Sequence, residues 1–271
     1  ALTTTQKAIV YNELNSELYK KFLIPNKNDW NTPEKISIYY SLNAFNIFGI
    51  TQVRTILIAL FDSFNSKKIN LKQLKYNLEL LENFHFVFTA VCSMRPSGLE
   101  SRYSKYSLKL HNEKDKNIIS SVLKDFEKDM RNSLPSYKEF ENNFKKLKYT
   151  DEEQKDKKKI QYIFSKIERY LMSTQELDIL SLSIEHIDSQ SNENDFSGAI
   201  GNLLILGADL NSDIGNLPFD KKLEKYKTSN FKSTLKFYKE NRNKTIWTKK
   251  DIDKRTIDIA DLLYKEICRF N

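Results

Sequence analysis

One of the three histidines in this chain stands where chemistry can happen: His186 directly follows Glu185, at the end of the alternating run Leu180-Ser-Leu-Ser-Ile184. A neutral imidazole with a pKa near its ordinary ~6.5 can take a proton from water at physiological pH. A carboxylate beside it is a ligand for a hard divalent ion, which polarises a phosphoryl oxygen and stabilises a departing alkoxide. Asn202 follows sixteen residues after His186, and Asn211 nine residues after that. The amide oxygen of Asn211 is a second suitable ligand, and Asn202 is placed to hold the opposing loop by hydrogen bonds so that the imidazole stays oriented. Phosphodiester hydrolysis needs an activated water, charge stabilisation at phosphorus and help for the leaving oxygen. This set of residue types offers all three. The other two histidines, His85 within Phe84 to Phe88 and His111 beside Asn112 and Glu113, read as structural.

Positioning these groups requires a short strand, a loop, a second strand and a helix. Residues 180–187 alternate in the manner of a half-buried strand. Alternation sends Glu185 and His186 to opposite faces, so a bend at the strand end is expected to bring them toward one ion. A polar loop, Asp188 to Gly198, leads to the strand-like run Ile200 to Leu206, and helix resumes from Asn211. Pro218 suits a helical first turn before Phe219 to Tyr226. Thr248, three residues before Asp251, suits the cap of a last helix carrying Ile252, Ile259 and Leu263.

Upstream, the pattern is helical throughout. Apolar residues recur at three- and four-residue steps in Ser37 to Asn43, Gln52 to Phe61 and Leu71 to Cys92, with Gly49 and Arg95-Pro96-Ser97-Gly98 as breaks. Asn117 to Asn132, Tyr137 to Leu147 and Ile160 to Leu171 continue it, the first two separated at Leu134-Pro135-Ser136. Lys145 to Lys159 holds seven Lys and four Asp or Glu and reads as a solvated loop, with a DNA-contacting arm as the alternative. The expected architecture is mainly α: a helical domain over 1–175, then a small α+β domain over 176–271.

Composition limits the function classes. With only 6 Gly and 5 Pro in 271 residues, turn-formers are too few for a many-stranded sandwich or barrel. No apolar run approaches the ~18 residues that span a bilayer, so no membrane partner is expected. Cys92 and Cys268 form no CxxC pair, which leaves neither a disulfide scaffold nor a zinc knuckle and points to a reducing cytoplasm. The net charge of +8 suits an anionic partner. It is concentrated between Asp220 and Arg255, with thirteen Lys or Arg against five Asp or Glu. Lys221, Lys222 and Arg255 are the expected phosphate contacts on a DNA path.

Ser183-Ile-Glu-His-Ile-Asp-Ser-Gln190, Ile200-Gly-Asn-Leu-Leu-Ile-Leu-Gly207, Leu210-Asn211, Gly215-Asn-Leu-Pro-Phe219 and Lys221-Lys222 together resemble the C-terminal HNH domain of GmrSD-type restriction endonucleases. That family belongs to the His-Me finger (ββα-metal) nucleases, and the resemblance extends through Trp247, Ile252 and Arg255. It also suggests similarity to the nuclease part of phosphorothioate-sensing SspE-like defence proteins. The resemblance implies His186 as general base, Asn202 as the middle asparagine, and Glu185 and Asn211 as ligands of a divalent metal, Mg²⁺ or alternatively Mn²⁺. Where the family usually has proline before the glutamine after its base, this chain has Ser189 before Gln190.

The expected function is metal-dependent cleavage of double-stranded DNA, phage or modified foreign DNA, in bacterial defence. A sensor or NTPase module upstream is also expected, because the chain starts without Met and has neither an Asp-Gly-Gln motif nor a P-loop. The rival readings are a catalytically degenerate HNH-fold module that binds DNA or a partner, and an RNA-directed nuclease.

Overall fold

The computed structural model describes residue 16 and residues 18–95, 97–172, 182–189 and 195–269. The chain divides into two compact units, Ala1–Pro135 and Ser136–Asn271. The division falls at the Leu134-Pro135-Ser136 break, ahead of the boundary expected at 175, so the two helices on either side of the charged stretch belong to the second unit.

The first unit is helical. It contains α1 (Ile36–Ile47), α2 (Arg54–Asn65), α3 (Leu71–His85), α4 (Leu99–Asn112) and α5 (Lys116–Arg131). Helix starts follow local chemistry: Asn70 and Gln73 form a reciprocal capping box on α3, and the Asp115 carboxylate accepts from Asn117 N and Ile118 N on α5. The helix expected to run unbroken from Leu71 to Cys92 instead widens into π-helical turns over Phe86–Val91. His85 sits at that junction, its Nε2 2.7 Å from the Tyr103 hydroxyl and its Nδ1 3.0 Å from Thr89 Oγ1. A buried imidazole satisfied on both nitrogens fits the structural role expected of it. His111 is exposed, 3.8 Å from Asp62. The core joins Leu42, Leu60, Leu78, Phe84, Tyr103 and Phe126.

The second unit begins with α6 (Tyr137–Phe144) and α7 (Lys157–Leu171). A two-stranded antiparallel hairpin follows, β1 (Ser183–His186) and β2 (Leu203–Leu206), with Glu185 opposite Leu204 and His186 opposite Leu203. Leu180 and Ser181, where the strand was expected to start, lie outside the described residues, as does Gln190. A short 3-10 turn, Ile200–Asn202, introduces β2 where a continuous strand was expected. Then come α8 (Ala208–Ile214), α9 (Phe219–Tyr226), α10 (Lys232–Asn241) and α11 (Lys249–Asp261), the last carrying the Thr248–Asp251 capping box.

The hairpin is clamped on several sides. Its four β2 residues are all buried, and Thr234 of α10 donates to the Ile205 carbonyl at 2.7 Å. The buried Glu168 carboxylate of α7 accepts from Lys232 N, Ser233 N and Ser233 Oγ, capping α10 and tying it to α7. Helix α11 approaches the 3-10 turn so closely that a Cβ on Gly201 would overlap the Ile252 carbonyl and Thr256 Oγ1. Only glycine permits that approach.

Candidate active site

Glu185, His186 and Asn211 line one polar cleft of about 370 Å³, together with Tyr149, Asp151, Lys157, Gln161, Ser189 and Lys222. The sequence spacing thus brings the two proposed ligands and the proposed base to a common space. Glu185 and His186 still leave the strand in different directions: the carboxylate meets α9 and the imidazole meets the segment before α7.

His186 Nε2 lies 2.9 Å from the Tyr149 carbonyl oxygen. A carbonyl carries no proton, so Nε2 must be the protonated nitrogen, and in the neutral ring Nδ1 is then the proton acceptor. The Tyr149 ring stacks on the imidazole, with centroids 5.6 Å apart and planes 22° apart. Burial pushes the His186 pKa below its ordinary value, with the Lys222 ammonium acting in the same direction; the Tyr149 carbonyl and the Asp151 carboxylate oppose. The ring is therefore neutral and fixed in orientation near pH 7, which are the two properties a general base needs.

Tyr149 had no signal as a functional residue, because it contributes a backbone oxygen from a stretch whose side chains are mostly charged. The expected solvated loop is partly a buried structural segment. Leu147 and Tyr149 are buried, Lys148 pairs with Ala199 in an antiparallel bridge, and Tyr149 N donates to the Gly198 carbonyl at 2.9 Å. A Cβ on Gly198 would come within 2.8 Å of Thr150 Cγ2, so this contact also depends on a glycine.

Asn202 is fully buried beside the cleft without lining it. Its Oδ1 accepts from Asp188 N at 2.8 Å, while Nδ2 donates to the carbonyls of Asp188 at 2.8 Å and Ser197 at 2.7 Å. Its own carbonyl accepts from Ile187 N at 2.8 Å. Every one of these bonds reaches the chain just after His186 or the loop returning to it. Asn202 thus ties the turn after His186 to the returning loop and does not itself line the cleft.

Asn211 lies within α8 rather than at its cap; Gly207 holds that position. Its Nδ2 donates to Ser183 Oγ at 2.8 Å, whereas its Oδ1 is buried with no hydrogen-bond donor among the described residues. An unsatisfied buried acceptor is costly, and a cation in the cleft would satisfy it. The Glu185 carboxylate supplies a second oxygen. Two hard oxygen donors suit Mg²⁺ or Mn²⁺, which retain several waters. Among the described residues, no group of three His, Cys, Asp or Glu side chains gathers to hold a metal ion, so any ion here relies on the amide.

Glu185 already has a cation. Lys222 Nζ donates to Glu185 Oε1 at 2.8 Å and to the His186 carbonyl at 2.5 Å, and Tyr226 Oη donates to the same Oε1 at 3.0 Å. Burial pushes the Glu185 carboxyl above the usual carboxylate range, and these two donors pull the other way. Such a buried pair is worth little as a pair but much as protection, since removing one partner strands the other.

The three basic residues expected on the DNA path separate. Lys221 is exposed. Lys222 is corrected: its side chain is 1% exposed and its donors are spent on Glu185 and His186. Arg255 is half-buried. Its Nη1 donates to the carbonyls of Gly201 at 2.7 Å and Leu203 at 2.8 Å, and its guanidinium lies near the faces of Phe164 and Phe237. Burial pushes its pKa down to about 10. It braces the turn that carries Asn202 and the start of β2.

Among the described residues, no helix is long and apolar enough to cross a membrane. Residues 134–262 match the family model of GmrSD restriction endonucleases, C-terminal domain. That span contains both hairpin strands, the Tyr149 segment and α6 to α11. No curated protein matches the chain.

Proposed function

We propose, from the match of residues 134–262 to the GmrSD restriction endonuclease C-terminal domain model, that the second unit is an HNH-type nuclease hydrolysing phosphodiester bonds of double-stranded DNA. The observation that carries this reading is the His186 to Tyr149 hydrogen bond, which leaves Nδ1 as proton acceptor in a polar cleft shared with Glu185 and Asn211. In the mechanism, His186 Nδ1 takes the proton of the attacking water, and Asn202 keeps the turn after His186 from drifting. Lys222 and Tyr226 hold the Glu185 carboxylate in place. Glu185 and Asn211 would hold a divalent ion, Mg²⁺ first and Mn²⁺ second, which when bound supplies charge stabilisation at phosphorus and at the leaving oxygen.

Restriction of phage or modified foreign DNA in the cytoplasm belongs to the same proposal, and so does control by a sensor module upstream of the chain. Supercoiled plasmid incubated with the protein and Mg²⁺ or Mn²⁺ should be nicked or linearised. His186→Ala and excess chelator should each abolish cutting. Intact plasmid with the wild type, or equal cutting by His186→Ala, refutes the assignment.

A further inference from the structure

The cleft has two lysines, and they are not alike. Lys222 is committed to Glu185 and to the His186 carbonyl. Lys157, in the first turn of α7, is half-buried and forms no ion pair with any described carboxylate. The two lysines beside it in sequence differ from it: Lys159 pairs with Asp156, and Lys158 does not line the cleft. The Lys157 ammonium lies 5.4 Å from the centroid of the Tyr149 ring, the same ring that stacks on His186. An aromatic face attracts a cation without neutralising it, so the charge is held in the cleft and remains available.

We infer that Lys157 is a substrate-contacting residue whose ammonium binds a DNA phosphate in the cleft beside His186. The inference rests on the nuclease reading and adds to it a contact outside the β1–β2 hairpin and outside the basic 220–255 segment. A compact ammonium suits this task, because it neutralises a phosphate oxygen without demanding the bidentate geometry of a guanidinium.

The test is duplex binding in Ca²⁺ or EDTA, read by fluorescence anisotropy over a series of salt concentrations, so that it does not depend on cutting. Removing one phosphate-binding cation should lower the slope of log K against log salt by about 0.9. Lys157→Ala and Lys157→Gln should both weaken binding and reduce the slope by about one unit, while Lys157→Arg and Lys158→Ala should keep the wild-type slope. Wild-type affinity and slope in both neutral variants of Lys157 overturns the inference, as does an equal reduction in Lys158→Ala. Failure of the nuclease reading is distinguishable, because it appears as plasmid cutting that survives His186→Ala.

Discussion

Replacing Asn202 by aspartate changes one atom and should damage the second unit more than replacement by alanine. In the wild type, Nδ2 donates to two carbonyls, those of Asp188 and Ser197, and Oδ1 accepts one backbone N–H. Alanine takes the Asn202 side chain away from that donor and those two acceptors. At roughly 1–3 kcal/mol for each unmet group, discounted because Asp188 is only part-buried, the cost is about 3 kcal/mol. Aspartate keeps the Asp188 N–H bond but turns an oxygen toward two carbonyl oxygens at a site with no solvent access. It must either bury an unpaired charge or take up a proton, so the expected cost is about 4–5 kcal/mol near pH 7, falling as the pH is lowered. Urea denaturation followed by near-ultraviolet circular dichroism at pH 7 and pH 5 measures this, with plasmid cutting as the functional readout. An Asn202→Asp protein as stable as the wild type at pH 7, or less stable at pH 5 than at pH 7 relative to Asn202→Ala, would refute the assigned hydrogen bonds.

Two further outcomes follow from buried charge. Lys222→Met should cost about 3–5 kcal/mol, because it leaves the Glu185 carboxylate with Tyr226 as its remaining side-chain donor. Adding Glu185→Gln should recover much of that loss in urea denaturation, and a double variant no more stable than the single one would rule out the pairing. In the first unit, burial holds the His85 pKa down at about 3, against ~6.5 when unfolded. Its contribution is complete above about pH 6.5 and is lost as pH falls toward 3, at about 1.4 kcal/mol per unit, or about 2 kcal/mol at pH 5. His85→Gln should remove that part of the acid sensitivity; wild type and variant losing stability in parallel between pH 7 and pH 5 would exclude it.

Legibility in the sequence followed the kind of information each feature needs. Helices of the first unit, the β1–β2 hairpin and the Thr248 cap depend on side-chain periodicity and capping chemistry, and both are written in residue types. The gathering of Glu185, His186 and Asn211 followed from spacing in the same way. Charge gave the wrong environment for Lys222, and only part of the environment of Arg255, although a positional signal was present. Lys222 shares a helical stripe with Phe219 and Tyr226, and Arg255 lies between Ile252 and Ile259 at three- and four-residue steps. A basic residue on an apolar stripe is a candidate for burial with partners. The Tyr149 interaction had no such signal, because a backbone carbonyl is common to every residue and only the fold decides which one meets an imidazole.

That carbonyl bears on how portable the proposed catalytic hairpin is. A fragment cut to begin at β1 would keep all seven residues singled out from the sequence, yet lack the acceptor that fixes the His186 tautomer, the Glu168 carboxylate that anchors α10, and Lys157. Grafting the strand–loop–strand–helix cassette onto another protein would transfer the proposed ligands and leave the proposed base unaligned. In this chain the smallest transferable piece of chemistry therefore starts some forty residues before its first named ligand, and recombination among related proteins would be expected to preserve function only when crossovers fall near the Leu134-Pro135 junction.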